Sequence, residues 1–297
     1  MKEIVVISGK GGTGKTSLAS SLAILSGEES IIADCDVDAA DMHLLLSPDF
    51  GHRENFFSGK QAVIDGEICT SCGLCMEKCR FDAIETNVSG YFVKPIDCEG
   101  CGYCARICPV EAINMKDQLA GEFYVSTTRI NNTLVHARLA PGAENSGKLV
   151  AKVKNEARNL AEKANKKYVI ADGSPGIGCP VISSLSGADF VVMVTEPSLS
   201  GLHDLKRVYE LVRKFDIKAS CIINKYDINP EITERIMEFI KYESVIHLCN
   251  IPYSNEFTEA MTNGLTILEN GNKEMEEMII DAWEKIKKSV NEKYEEI

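Results

Sequence analysis

Eight of the twelve cysteines fall in two runs of one pattern, C-x2-C-x2-C-x3-C: Cys69, Cys72, Cys75 and Cys79, then Cys98, Cys101, Cys104 and Cys108. A four-iron cubane needs four thiolates on a short wrapped loop, and this spacing places three on one turn while the fourth crosses to the other cluster. Cys69, Cys72, Cys75 and Cys108 are therefore expected to hold one 4Fe–4S cluster, and Cys98, Cys101, Cys104 and Cys79 the other. A structural zinc site, the plainer alternative, takes C-x2-C pairs around a longer spacer and has no third cysteine three residues on. Gly73 and Gly102 recur at the same place in both runs, as do Ala83-Ile84 and Ala112-Ile113, which marks a pseudo-twofold repeat. Arg80 stands where the second run has Pro109. It is either a solvent-exposed side chain or a cation that raises the potential of the cluster beside Cys79.

The other chemistry lies at the amino end. Gly9 to Thr16 reads GKGGTGKT, which satisfies G-x-x-x-x-G-K-S/T between a strand-like EIVVIS and a helical pattern. Such a loop closes backbone N–H groups of Gly9, Gly11, Gly12, Thr13, Gly14 and Ser17 around phosphate oxygens. Lys15 then neutralises the β- and γ-phosphates and the Thr16 hydroxyl holds Mg2+.

With Lys10, the segment KGGTGKT resembles the deviant phosphate loop of the MinD/ParA and nitrogenase iron-protein class, and the paired cysteine runs resemble bacterial two-cluster ferredoxins. The first resemblance implies a nucleotide-sandwich homodimer in which Lys10 reaches the partner's nucleotide. It also places a water-orienting aspartate in DCDVDAAD (34–41), with Asp36 as the candidate and Asp34 and Asp38 as alternatives. Asp172, opening DGSPGIG, is expected to hold the Mg2+ shell through water, with Gly173, Pro175, Gly176 and Gly178 as a hinge that responds to the γ-phosphate. Asn224 in INKYD is the expected base reader, and Pro252 in IPYSNEF (251–257) lies in the expected base-stacking region. NKYD also fits the N-K-x-D of GTPases, where Asp227 reads guanine; Lys10 and IPYSNEF favour adenine. Cys179 stands seven residues beyond Asp172, the offset of a cluster-ligating cysteine in the iron protein. It is either an interface ligand shared by two copies or a buried thiol before Pro180. Cys35 and Cys221 read as small buried hydrophobes, and Cys249 ends another apolar run with no visible partner.

Strands that can position these loops are short, β-branched and apolar throughout: 3–8, 30–34, 168–172, 190–195, 219–224 and 244–248. Helices are expected at 15–26, 148–165, 200–214, 230–241, 254–263 and 273–293. This alternation predicts an α/β fold, a doubly wound, mostly parallel P-loop NTPase sheet. Residues 63–115 break the pattern and are expected to form a small inserted α+β ferredoxin-like domain, with 1–62 and 116–297 making the ATPase domain. The run 121–138 reads as a returning hairpin.

The formal charge is −12, falling to about −16 with two oxidised four-thiolate clusters bound, and no basic block is present, which argues against a nucleic-acid partner. Met275, Met278, Ile279, Ala282, Trp283, Ile286 and Val290 share one helical face. From Lys273 to Ile297 there are five Lys and eight acidic residues, however, so packing on the sheet is expected rather than membrane binding. No targeting segment and no apolar run of about 18 residues is seen, so a cytoplasmic protein is expected, in a compartment reducing enough for thiolate ligands. The combined reading is an ATP-dependent iron-sulfur protein, a homodimer, which couples nucleotide state to electron transfer or metallocluster maturation on a redox or iron-sulfur partner. The alternative is an ATP-switched docking module whose clusters are structural or redox-sensing.

Overall fold

The computed structural model describes residues 1–143, 145–270 and 273–292, and the chain divides into two compact units. The first comprises Met1–Glu54, Phe123–Arg138 and Ser146–Ile297, the second Asn55–Glu122 and Leu139–Asn145. In chain order the elements begin with β1 (Lys2–Ser8), α1 (Lys15–Ser26), β2 (Ser30–Asp34), α2 (Met42–Leu46) and β3 (His52–Ile64). The cysteine-rich stretch forms α3 (Leu74–Lys78), β4 (Ile84–Asn87), β5 (Gly90–Val93) and α4 (Tyr103–Ile107). There follow β6 (Ile113–Thr127), β7 (Thr133–Leu139), α5 (Ser146–Lys163), β8 (Tyr168–Asp172), α6 (Cys179–Leu185), β9 (Phe190–Thr195) and α7 (Leu199–Lys214). The chain continues through β10 (Lys218–Asn224), α8 (Pro230–Tyr242), β11 (Ile246–Ile251), α9 (Glu256–Thr262) and α10 (Lys273–Asn291).

The main sheet runs β11-β10-β9-β1-β8-β2-β7-β6-β3, and β1, β2 and β7 to β11 pair in parallel. Its central strands are buried on both faces: Ile4, Val5, Val6 and Ile7 are all fully covered, so helices must lie on both sides. On one face Ile4, Val6, Ile32 and Val192 pack with Leu18 and Leu22 of α1, Leu45 of α2 and Ile279, Trp283 and Ile286 of α10. Val5, Ile7, Ala33 and Val191 point to the other face by strand alternation, where α5 contacts β2 and β8 and α7 contacts β1 and β9. Trp283 meets Tyr168 edge-on at 5.4 Å, and five more of the seven apolar residues named for that helix face are buried, Met278 being half-buried. Residue 293, the last of the helix expected at 273–293, lies outside the described residues. Among the described residues, no helix is long and apolar enough to cross a membrane.

Four elements differ from expectation. The strand expected at 244–248 starts at Ile246 and runs to Ile251. Val245 N–H donates to Ile240 O and Ser244 takes φ 55°, so both residues terminate α8. Cys249 consequently lies inside that strand. The exposed edge strand β3 carries no hydrophobic pattern, and the short helices α2 and α6 carry too few periods to stand out in the sequence, so packing defines them. The returning hairpin is present as β6 and β7, joined by a turn in which Thr128 N–H donates to Asn132 O at 2.9 Å.

In the second unit β4 and β5 pair antiparallel, and the internal repeat extends to the backbone. Ser71, Gly73 and Asp82 are left-handed, as are their counterparts Gly100, Gly102 and Glu111. Lys94 N–H donates to Ala83 O, and Asp65 N–H, at the equivalent place in the other half, donates to Ala112 O, both at 2.7 Å. Ala83, Ile84, Ala112 and Ile113 are the buried apolar residues of the two halves.

A buried ion group ties α5 to the start of β1. Lys154 Nζ lies 2.5 Å from Glu3 Oε1, with the two residues 4% and 1% exposed, and Arg158 reaches Glu3 Oε2 at 2.5 Å. Lys154 also donates to Ser184 O and Ser186 O at the end of α6. Removing Lys154 leaves the buried Glu3 carboxylate with the half-exposed Arg158 alone, an incomplete compensation of a buried charge. Lys154→Met is therefore expected to lower stability by about 3–5 kcal/mol in urea titrations, and Lys154→Met with Glu3→Leu to cost less than Lys154→Met alone.

Candidate functional site

β1 ends at Ser8 and the loop Gly9–Gly14 leads into α1. Gly14 has φ 88° and ψ 12°, and a Cβ there would meet Asn224 Nδ2 at 2.4 Å, so both backbone and space demand glycine. Nothing lies within 4 Å of a Cβ built on Gly11 or Gly12. Thr13 is 2% exposed, yet its hydroxyl has no hydrogen-bond partner among the described residues. An orphaned hydroxyl in an open glycine loop at a helix N-terminus fits a phosphate oxygen.

Lys15 lies beneath this loop, with Nζ 2.5 Å from Asp172 Oδ1 and 3.4 Å from Asp36 Oδ2. Burial opposes its charge, but Asp172 and Asp36 outweigh burial and hold it above the usual lysine value. Thr16 Oγ1 donates to Asp172 Oδ2 at 2.6 Å. A hydroxyl and a fully buried carboxylate side by side are hard oxygen donors of the kind Mg2+ takes.

Of the three acidic candidates in the loop after β2, Asp36 faces Lys15. Asp34 is committed elsewhere: Oδ1 accepts from Asp36 N–H at 3.1 Å and Oδ2 from Met42 N–H at 3.3 Å. Asp38 is exposed. Burial, reinforced by Asp172, raises the Asp34 carboxyl well above the usual range. Asp36 is pushed up to about 6, first by burial, against the attraction of Lys15.

The remaining predicted residues surround the loop. Ser17 is buried, its hydroxyl 3.5 Å from Met261 Sδ of α9. Asn224 is 4% exposed and donates through Nδ2 to Thr13 O at 2.8 Å, so its amide braces the phosphate loop. Pro252 is half-buried directly after β11. Asp227 Oδ1 accepts from Tyr253 N–H at 2.7 Å. Lys10 lies 2.7 Å from Glu196 Oε1 and donates to Ser198 Oγ and Ser200 Oγ. Lys225 meets the other Glu196 oxygen at 3.0 Å and also donates to Gly12 O. Sequence reasoning missed Glu196 and Lys225; the available signal was Glu196 directly following an apolar strand, where ligands collect in such sheets.

In the second unit the cysteines group as three plus one. A cavity of about 450 Å3 is lined by Cys98, Cys101, Cys104 and Cys79 together with Arg80. A second, of about 20 Å3, is lined by Cys69, Cys72, Cys75 and Cys108 with Pro109. Among the described residues, no three His, Cys, Asp or Glu converge tightly enough to hold a single metal ion. The Cys98 quartet lines a space wide enough for a polynuclear iron-sulfur group, whereas the Cys69 quartet closes on a space of about one water, so there the four thiol donors and not the cavity carry the fit. Gly100 allows this wrapping: its φ is +63°, and a Cβ would lie 2.0 Å from Lys60 O. Arg80 is exposed while lining the cavity.

Among the other cysteines, Cys35 and Cys221 are buried. Burial raises the Cys35 thiol and pushes Cys221 and Cys249 up to about 12. Cys179 is exposed at the first position of α6, which corrects the reading of a buried thiol, because the DGSPGIG turn delivers it to the surface.

A parallel sheet with a glycine loop, a buried lysine and paired carboxylates at its strand ends defines a P-loop nucleotide-binding protein. Residues 4–267 match the family described as CobQ/CobB/MinD/ParA nucleotide binding domain. An uncharacterised protein of Methanocaldococcus jannaschii is 32% identical over 292 residues, covering 97% of each chain. A ferredoxin of Saccharopolyspora erythraea is 36% identical over 53 residues, 18% of this chain and 50% of that protein. The MinD structure from Pyrococcus horikoshii, complexed with Mg-ADP, superposes with a TM-score of 0.58 at 18% identity, covering 98% of this chain and 97% of that one. The chain belongs to the CobQ/CobB/MinD/ParA family and is an ATPase of that family with a ferredoxin-like cysteine-rich region.

The folded value of Asp36 lies above the unfolded carboxylate value of about 3.9. The stability its protonation contributes is full below about pH 4 and lost as the pH rises through about 6. In nucleotide-free protein, Asp36→Asn is expected to reduce the downward slope of stability over that window by up to about 1.4 kcal/mol per pH unit, measured by denaturant titration at successive pH values.

Proposed function

We propose that this ATPase couples nucleotide-driven dimer conformation to electron transfer, or to iron-sulfur or metallocluster maturation, on a partner protein. The reading is carried by one observation: a phosphate-loop site and two complete cysteine quartets occur on a single chain. Cys69, Cys72, Cys75 and Cys108 would hold one 4Fe–4S cluster, and Cys98, Cys101, Cys104 and Cys79 the other. Bound clusters supply one-electron storage at low potential. Because each quartet is a closed four-thiolate set, the reading favours conduction over donation.

At the nucleotide site Lys15 neutralises the β- and γ-phosphates, Thr16 and Asp172 serve Mg2+, and Asp36 orients the attacking water. Lys10 leaves Glu196 and the two serines to reach the partner copy's nucleotide in a closed homodimer. Adenine is the favoured base, on Lys10 and the IPYSNEF segment; Asp227, which would read guanine, accepts from Tyr253 N–H through Oδ1 and keeps Oδ2 free among the described residues. The surface position of Cys179 supports a further metal ligand set shared between two copies.

To test the coupling, the loaded protein is reduced anaerobically and followed by EPR and iron content with and without MgATP. A shift in cluster potential on adding MgATP is expected in the native chain and absent in Lys15→Ala, whose hydrolysis falls about 10²–10³-fold. An unchanged signal in both proteins leaves the docking-module reading. For Cys179, the expected result is fewer iron atoms per dimer in Cys179→Ser, and equal iron removes the shared site.

A further inference from the structure

α2 is the first element after the DCDVDAAD loop, and it is held at both ends. At its start, Met42 N–H donates to Asp34 Oδ2, while Asp34 Oδ1 takes the N–H of Asp36. At its end, Arg129, in the turn after β6, donates from Nε to Leu45 O at 2.9 Å and from its backbone N–H to Leu46 O at 2.9 Å. The guanidinium has little freedom, since Nη1 and Nη2 both donate to Glu269 at 2.6 Å. Glu269 is itself fixed by Thr266, whose backbone N–H and hydroxyl each donate to Oε2 at 3.0 Å. Beside this clamp, Asp49 N–H donates to Thr127 O and Thr127 N–H to Asp49 Oδ1. Asp49 precedes β3 by three residues and Thr127 ends β6, so the strand that enters the cysteine-rich segment and the strand that leaves it are cross-tied at the end of α2.

We infer that Arg129, clamped by Glu269, is a positioning residue that couples the Asp36 loop to the iron-sulfur segment by holding α2 against the roots of β3 and β6. A planar fork bound on two edges resists rotation as a single-point lysine contact does not. Movement of the Asp36 loop about the γ-phosphate must then either carry the strand roots with it or break the clamp. The inference rests on the proposed coupling of nucleotide and cluster states. It adds where on the chain that coupling runs.

Linkage makes the test independent of hydrolysis: if nucleotide state alters the clusters, cluster reduction must alter nucleotide affinity by the same factor. Affinity for a fluorescent, non-hydrolysable ATP analogue with Mg2+ is measured on oxidised and on dithionite-reduced protein, with iron content and the visible spectrum as controls for intact clusters. The native chain is expected to show a ratio of about five or more between the two states. Arg129→Met and Glu269→Gln are expected to bring it close to one while iron content and oxidised-state affinity are kept, and Arg129→Lys to restore part of it. If Arg129→Met loses its clusters, Glu269→Gln, which leaves the backbone clamp to Leu46 intact, decides. A native ratio retained in Glu269→Gln and Arg129→Lys overturns the inference while the coupling stands. A ratio of one in the native chain overturns the coupling itself, and this inference with it.

Discussion

Three carboxylates gathered about one buried ammonium dominate the nucleotide site. Asp172 is fully enclosed and touches both Lys15 and Thr16, Asp36 approaches Lys15 from the neighbouring loop, and Asp34 pairs in register with Asp172 across β2 and β8. One ammonium cannot neutralise this much negative charge in a poorly screened place. The excess shows in the raised carboxyls of Asp34 and Asp36. Such a site favours whatever brings positive charge to it, and a Mg2+-bound triphosphate supplies a cation where the acidic oxygens converge. The parallel sheet makes the crowding possible, because adjacent β1, β8 and β2 all end on the side where these residues lie.

The second unit solves a different problem, gathering two sets of four thiols on wrapped loops. Five-residue helices and a two-stranded ribbon offer little core, so the wrapped loops depend on backbone conformation. Ser71 and Asp82 in the first half and Glu111 in the second adopt left-handed φ although they are not glycine. Such strain is kept where the surroundings over-determine it, and its recurrence in both halves shows that the turns serve the same geometry. Burial raises the Cys75 and Cys104 thiols, so a metal bound there would have to displace their protons.

Legibility followed how local each signal was. Five of the six short apolar strands, the glycine loop and the paired cysteine runs were readable because their information sits within about twenty consecutive residues, and the side-chain periods of strand and helix differ. β3 was not, since an exposed edge strand has no hydrophobic pattern to announce it. Nor was α2, whose five residues are held by Arg129, some eighty positions away, rather than by their own propensity. Asn224 was placed correctly at a strand end, but its contact with Thr13 depends on the 211-residue gap that the sheet closes.

The sequence by itself determined the chemistry available: eight thiols in two runs of metal-ligand spacing, a glycine loop of phosphate-binding pattern, and acidic residues at strand ends. It also determined the α/β class, because strands buried on both faces must alternate with helices. Only the tertiary structure decided which acid faces Lys15, where Lys10 rests, that Cys179 is exposed, and that Arg129 grips α2. Those are contacts between residues tens to hundreds of positions apart. Spacing along a chain carries no record of them until the sheet order brings its strand ends together.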